Sequence, residues 1–146
     1  MGKLVTAKSQ KMVARAIMLK RQRKSTNVLL VRKKDEPDTW ELPGGRRKFR
    51  ERWLDALIRE LREELNLKVQ VGQCQKWGQG KMQTSHDHTE TIRVVLYTVT
   101  AKGRKKAKNE ILEYIWVPLH NLSSVPLERK TKIMLWLYFR FGGGSL

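Results

Sequence analysis

Glu60, Glu63 and Glu64 place three carboxylates within five residues of one another in the run Gly45–Leu67, GRRKFRERWLDALIRELREELNL. On a helix, glutamates at i, i+3 and i+4 are surface neighbours that repel by a few tenths of a kcal/mol per pair. Near a helix C-terminus each also opposes the macrodipole by roughly 0.3–1 kcal/mol. A cation relieves both penalties. Hard, oxygen-preferring Mg²⁺ or Mn²⁺ suits such a donor set, and Mg²⁺ keeps waters and completes its shell with substrate phosphates. A bare E-x-x-E-E is more often a solvated helix face, so the residues around it must decide.

The helix itself is well supported. Leu54, Leu57, Ile58, Leu61 and Leu65 recur at helical spacing, and at about 100° per residue they form one apolar stripe. Glu60, Glu63 and Glu64 occupy the adjoining arc, so their oxygens converge at the edge of the buried face.

The spacing beyond the glutamates is more specific. Gly45 is followed after five residues by Glu51, and after seven more by Arg59-Glu60-Leu61-x-Glu63-Glu64-x-Asn66-Leu67. This resembles the signature of the Nudix hydrolases, G-x5-E-x7-R-E-U-x-E-E-x-G-U with U aliphatic. At background frequencies the matched positions coincide by chance on the order of once in a hundred million starts. One box position departs: Asn66 stands where the family has Gly. That position follows the helix end and requires the left-handed conformation, for which Asn is the usual second choice. A softer departure lies in the loop, where family members often carry an extra acidic residue and a Gly before the first box glutamate. Here Lys48 and Arg50 make that loop basic.

The resemblance continues on both sides of the box. Trp40-Glu41-Leu42-Pro43-Gly44-Gly45 is similar to the family's W-x-L-P-G-G approach, and Ile115–Leu119 with Asn121-Leu122 is similar to its W-V-P-L-x-x-L segment. Pro43-Gly44-Gly45 also makes sense alone, because Pro presets one dihedral and two glycines permit a tight turn where backbone approaches a ligand.

The resemblance implies hydrolysis of a phosphoanhydride in a nucleoside diphosphate linked to another group, with water attacking phosphorus. It implies Glu60, Glu63 and Glu64 as metal ligands, with the carbonyl of Gly44 or Gly45 as a further one. It implies a supporting ion pair between Glu51 and Arg59. A metal-held water would supply the nucleophile. Family members differ in the general base; Glu64 is the first candidate within the box and Glu110 the first outside it, ahead of Glu113, Glu90 and Asp87. His86 and His88 fit substrate contact or simple exposure better than metal binding, and His120 reads as a surface turn residue. Arg15, Arg32, Trp40, Arg46, Arg47 and Lys48 complete the candidate substrate contacts.

A chain of 146 residues is of single-domain size and able to bury a core without disulfides or structural metal. The expected organisation is one domain over 1–141 and a flexible tail over 142–146 (GGGSL), with no internal repeat. The single cysteine, Cys74, cannot form an internal disulfide and reads as a buried structural thiol in a reducing cytosol. No run approaches the roughly 18 apolar residues of a membrane span, and the N-terminus lacks an apolar signal core. The expectation is a soluble cytoplasmic protein without a membrane partner, monomeric or homodimeric.

Strands are expected over Met12–Leu19 and Asn27–Arg32 around a polar loop Lys20–Thr26, then at Lys68–Val71 and Thr89–Thr100. A second helix is expected over Leu127–Phe141, with Leu127, Lys130, Met134, Leu137 and Phe141 on one side. Strands with two helices make an α/β/α sandwich, a mixed sheet between helices, of the Nudix type.

Charge bears on the substrate. Lys plus Arg number 31 against 14 Asp plus Glu, a formal net charge of +17, and so basic a surface attracts polyanions. The excess clusters at Lys20–Lys24, Lys33-Lys34, Arg46–Arg50 and Arg104–Lys108. Three readings follow. The first is a pyrophosphohydrolase of free nucleoside triphosphates, oxidised ones among them. The second acts on an RNA 5′ end, and the third is a nucleotide- or RNA-binding module without catalysis. Trp40, Trp53 and Trp77 are candidate base-stacking platforms that serve equally as core.

Overall fold

The structure, a computed structural model, describes residues 9–83 and 90–141. Its elements in chain order are β1 (Ser9–Ile17), β2 (Leu19–Gln22), β3 (Ser25–Lys33), β4 (Gly44–Arg46), α1 (Trp53–Leu65), β5 (Cys74–Gln83), β6 (Glu90–Val99), β7 (Ile111–Pro118) and α2 (Arg129–Arg140). One sheet has the order β4-β1-β6-β5 and the other β2-β3-β7. Among the described strands β1 and β6 run parallel and the other ladders are antiparallel.

The alternation of side chains along each strand divides the core in two. Ala14, Ala16, Leu29, Val31, Val95 and Tyr97 pack with Leu57, Leu61 and Leu65 of α1. Their neighbours Val13, Ile17, Val28, Leu30, Val94 and Leu96 pack with Met134, Leu135 and Tyr138 of α2. The strands are therefore apolar at successive positions, because both faces are covered. Burying Leu57, Leu61 and Leu65 to 0% exposure stabilises the α1 face by roughly 1.5–3 kcal/mol per side chain. This is the expected α/β/α arrangement.

Helix α1 ends as its sequence predicts. Asn66 adopts φ 57°, ψ 29°, its N–H donates to the Arg62 carbonyl at 3.0 Å, and Leu67 N–H reaches back to Leu61 O at 3.3 Å. Those are the hydrogen bonds of a left-handed helix cap, with Asn doing what Gly does elsewhere.

The structure adds β4 and β7, for which no strand is expected, and differs from expectation elsewhere too. The supposed loop Lys20–Thr26 is a hairpin: β2 pairs with β3 across a turn at Arg23, φ 53°. Its charged, exposed residues mark an edge strand, a place where lysines and arginines are expected. Lys68–Val71 forms no strand; Leu67 and Val69 enter the core from a connection without a ladder partner. β5 (CQKWGQGKMQ) was invisible to pattern, being rich in glycine and polar residues, and it exists because β6 offers it an edge. In α2 the buried face is Thr131, Met134, Leu135 and Tyr138, whereas Phe141 is 64% exposed.

Candidate active site

Three strand and helix contacts place the glutamates. β4 lies against β1, with Arg15 opposite Gly44 and Ala14 opposite Gly45. Gly44 has φ 130°, and a Cβ there would stand 2.1 Å from the Ala14 carbonyl oxygen, so no other residue fits. The Gly44 N–H donates to Glu64 Oε1 at 2.9 Å. A Cβ on Gly45 would fall 2.5 Å from the Glu60 carboxylate. Gly45→Ala is therefore expected to displace the Glu60 carboxylate rather than unfold the chain. Mg²⁺ affinity measured by calorimetry should fall about tenfold or more with an unchanged circular dichroism spectrum, and unaltered affinity would refute this packing role.

The order of burial along the helix follows from the wheel. At about 100° per residue, Glu64 is rotated toward the leucine stripe from Glu60 and Glu63 away from it. Glu64 is accordingly 1% exposed and Glu60 8%, whereas the Glu63 side chain is 43% exposed. Burial pushes the Glu64 carboxyl up to about 8, against the opposing pull of the Gly44 N–H and the charge of Arg15. Glu60 is raised too, by burial and by the neighbouring Glu63 and Glu110, with Arg59 opposing.

Arg59 ties the loop to the helix. Its Nε and Nη2 donate to both oxygens of Glu51 at 2.8 and 2.9 Å, a bidentate pair. Nη1 reaches Glu60 Oε1 at 2.9 Å and Glu63 Oε2 at 3.2 Å, and Nη2 also donates to the Arg46 carbonyl at 2.9 Å. Glu51 takes a further hydrogen bond from Lys48 N–H, and the Arg59 bonds bring its carboxyl down to about 2.

The segment that carries the basic cluster Arg104–Lys108 completes the carboxylate cluster. Lys106 N–H and Lys108 N–H donate to the carbonyls of Leu65 and Glu64 at 2.9 and 3.0 Å, and Asn109 Nδ2 to that of Glu63 at 2.8 Å. These donors satisfy the free carbonyls at the α1 C-terminus. They also bring Glu110 in, so that one oxygen each from Glu60, Glu64 and Glu110 lies within 4.8 Å of the others. The tight triad thus contains Glu110, and Glu63 sits beside it on Arg59. Carboxylates so crowded, two of them buried, fit a hard divalent cation. The Gly44 carbonyl, which accepts from Arg15 Nη1 at 3.2 Å, belongs to the same turn.

Several candidate substrate contacts are committed elsewhere. Arg15 is buried, and its Nη1 bonds Glu41 Oε1, Leu42 O and Gly44 O. Arg32 pairs with Glu113 and lies over the Trp40 ring at 5.4 Å, with the Arg32 and Glu113 side chains 28% and 46% exposed. Arg47 stacks on Trp53 at 5.0 Å and donates to Glu51 O. Trp77 packs edge-on against Tyr138. Arg46 and Lys48 remain exposed beside the site. His86, His88 and Asp87 lie outside the described residues, and the Glu90 side chain is likewise not described. His120 is exposed in a short turn. Cys74 is half-buried, not fully buried, and unbridged.

Two residues escaped sequence reading. Glu41 is 3% exposed and accepts from Lys33 Nζ at 3.1 Å as well as Arg15; its place beside Leu42-Pro43-Gly44 was the available signal. Phe49, in the basic loop, is 90% exposed.

A sandwich whose inner helix ends in a carboxylate cluster against a glycine turn defines a class of hydrolytic fold. The family model described as NUDIX domain matches residues 10–137, and the chain belongs to that family: it is a Nudix hydrolase, acting on pyrophosphate bonds. No curated protein matches it. Among solved structures it is similar to a MutT NUDIX hydrolase from Burkholderia pseudomallei (TM-score 0.72, 22% identity, 88% of this chain and 97% of that one). It is also similar to a MutT protein from Methanosarcina mazei Go1 (0.74, 20%, 97% and 100%). A third is the NUDIX domain of Shewanella oneidensis NrtR, in complex with ADP ribose (0.75, 19%, 91% and 88%). At these identities the likeness concerns the fold. No helix among the described residues is long and apolar enough to cross a membrane.

Proposed function

We propose that the chain hydrolyses the phosphoanhydride of nucleoside triphosphates, releasing a nucleoside monophosphate and pyrophosphate. The observation that carries this reading is the convergence of Glu60, Glu64 and Glu110 in a chain of +17 net charge. The acidic centre suits a cation and the basic surround suits phosphate. Glu60 and Glu64, with Glu63 alongside and the Gly44 carbonyl on the turn, would hold Mg²⁺ or Mn²⁺. That ion when bound neutralises phosphate charge and acidifies a water. Arg59 holds the carboxylates of Glu60 and Glu63 in place, and Gly44 N–H fixes Glu64. Glu110, exposed at the rim, is the group best placed to take the proton from an attacking water. Arg46 and Lys48 are placed to meet the outer phosphates.

A second reading is favoured by one feature of the loop. Phe49 is 90% exposed, touched by Arg50 at 5.3 Å, and Arg50 holds φ 65°. A non-glycine residue in that conformation costs roughly 1–2 kcal/mol, so a cation is retained at the tip despite strain. An exposed ring flanked by Lys48 and Arg50 suits base stacking and backbone contact with a single-stranded RNA 5′ end.

A panel of nucleoside triphosphates, ADP ribose and 5′-triphosphorylated RNA, assayed with Mg²⁺ and with Mn²⁺, separates these readings. Triphosphate turnover is expected to dominate. Glu63→Gln should slow it roughly 100-fold, and inactivity across the panel in a folded sample would refute the catalytic reading altogether. RNA turnover lost in Phe49→Ala alone would establish the second.

A further inference from the structure

A cavity of about 680 Å³ lies between β2, β7, the residue before β5 and the segment after β6, lined by Lys20, Gln73, Thr100, Lys102, Lys105 and Trp116 among others. Its charged groups are unusual in their company. The ammonium groups of Lys20 and Lys105 both stand over the Trp116 ring, at 5.5 and 5.2 Å from its centre. Neither forms an ion pair among the described residues. Lys105 Nζ has a long contact to the Gly103 carbonyl at 3.5 Å. Partial burial, with the like charge of Lys20 adding to it, holds the Lys105 ammonium below its ordinary value. An arrangement of this kind is relieved by an anion placed between the two ammoniums.

None of these residues belongs to the carboxylate cluster, and no carboxylate lines the cavity. We propose that the cavity is a second anion site, which takes the phosphate groups of a small oligophosphate through Lys20, Lys102 and Lys105, with Trp116 as its floor. The ring already carries the two ammoniums, so recognition is by charge and not by base stacking. The site is physically joined to the catalytic cluster. Lys105 is followed by Lys106, whose N–H caps Leu65, and by Lys108, whose N–H caps Glu64. An anion fixing Lys105 therefore fixes the segment that carries Glu110.

The test is calorimetric titration of the full chain with inorganic tripolyphosphate in EDTA, which removes cation bridging at the carboxylates. This makes the outcome independent of hydrolysis. Lys20→Ala/Lys105→Ala should weaken binding about tenfold or more, as expected for two lost charge-assisted contacts. The double variant Lys68→Ala/Lys132→Ala removes the same charge from exposed positions and should leave binding within about twofold, as screened surface charge does. Trp116→Phe keeps the ring and should retain affinity. Equal losses in both double variants, or no saturable binding by the unaltered chain, would overturn the proposal.

Discussion

Replacing Glu64 by Gln is expected to abolish most hydrolysis while making the metal-free protein more stable at alkaline pH. Activity should fall roughly 100- to 1,000-fold, since an anionic donor aimed at the reaction centre is lost. The stability gain follows from the sign of the pKa shift. Burial raises the folded-state carboxyl of Glu64 from its ordinary 4.5 to about 8, so the folded chain binds that proton more tightly than the unfolded chain. The contribution is fully present below about 4.5 and is lost as pH rises through about 8. In EDTA the midpoint of thermal unfolding should therefore fall for the unaltered protein between those limits. Glutamine does not ionise, and its Oε1 can still accept from Gly44 N–H. The variant's midpoint should exceed that of the unaltered chain at pH 9, and added Mg²⁺ should narrow the gap. A variant less stable than the unaltered chain at pH 9 would show that Glu64 is held charged by its surroundings without metal.

Arg59→Ala should be the most damaging single change outside the triad. It unpairs Glu51, whose carboxylate loses two hydrogen bonds, and releases Glu60, Glu63 and the Arg46 carbonyl at once. Removing one partner from so enclosed a network costs roughly 3 kcal/mol in denaturant-measured stability. Arg59→Lys should recover only part of it, because an ammonium cannot bridge both Glu51 oxygens while reaching the α1 carboxylates. Acid sensitivity carries a second readout. Glu51, lowered to about 2, contributes stability that is present above about 4.5 and lost as pH falls toward about 2. In Arg59→Ala that acid-dependent loss should shrink. A full rescue by lysine would reduce Arg59 to a point charge.

How much of this was legible in the chain depends on the range of the interaction. The α1 helix, its leucine face and its Asn66 cap are local, set by side chains three and four residues apart and by one backbone dihedral. Each stood where periodicity and cap chemistry placed it. The Glu51–Arg59 pair came from the family resemblance, since nothing in eight residues of spacing requires a loop to fold back on a helix. β5 is unreadable because its stability lies in β6, and the buried face of α2 differs from the expected one because Phe141 is apolar yet points outward, 64% exposed, while Thr131, Leu135 and Tyr138 turn inward.

The fate of the arginines makes the same point. Arg15, Arg32 and Arg47 are candidates for phosphate in the sequence; in the fold Arg15 is buried on Glu41, Arg32 pairs with Glu113 and Arg47 lies over the Trp53 ring. The exposed basic surface of the loop is carried by Arg46, Lys48 and Arg50, the last over the exposed Phe49 ring.

A carboxylate-bearing helix after a glycine turn, and chemistry on phosphoanhydrides, are already written in the chain, because they rest on contacts between near neighbours and on a signature of fixed spacing. Which carboxylates meet is settled by folding. Glu63 turns to Arg59, while Glu110 arrives from 46 residues beyond Glu64 because the backbone before it caps the last carbonyls of α1. Long-range closure of that kind depends on which unsatisfied groups the folded chain leaves exposed, and no local pattern encodes it.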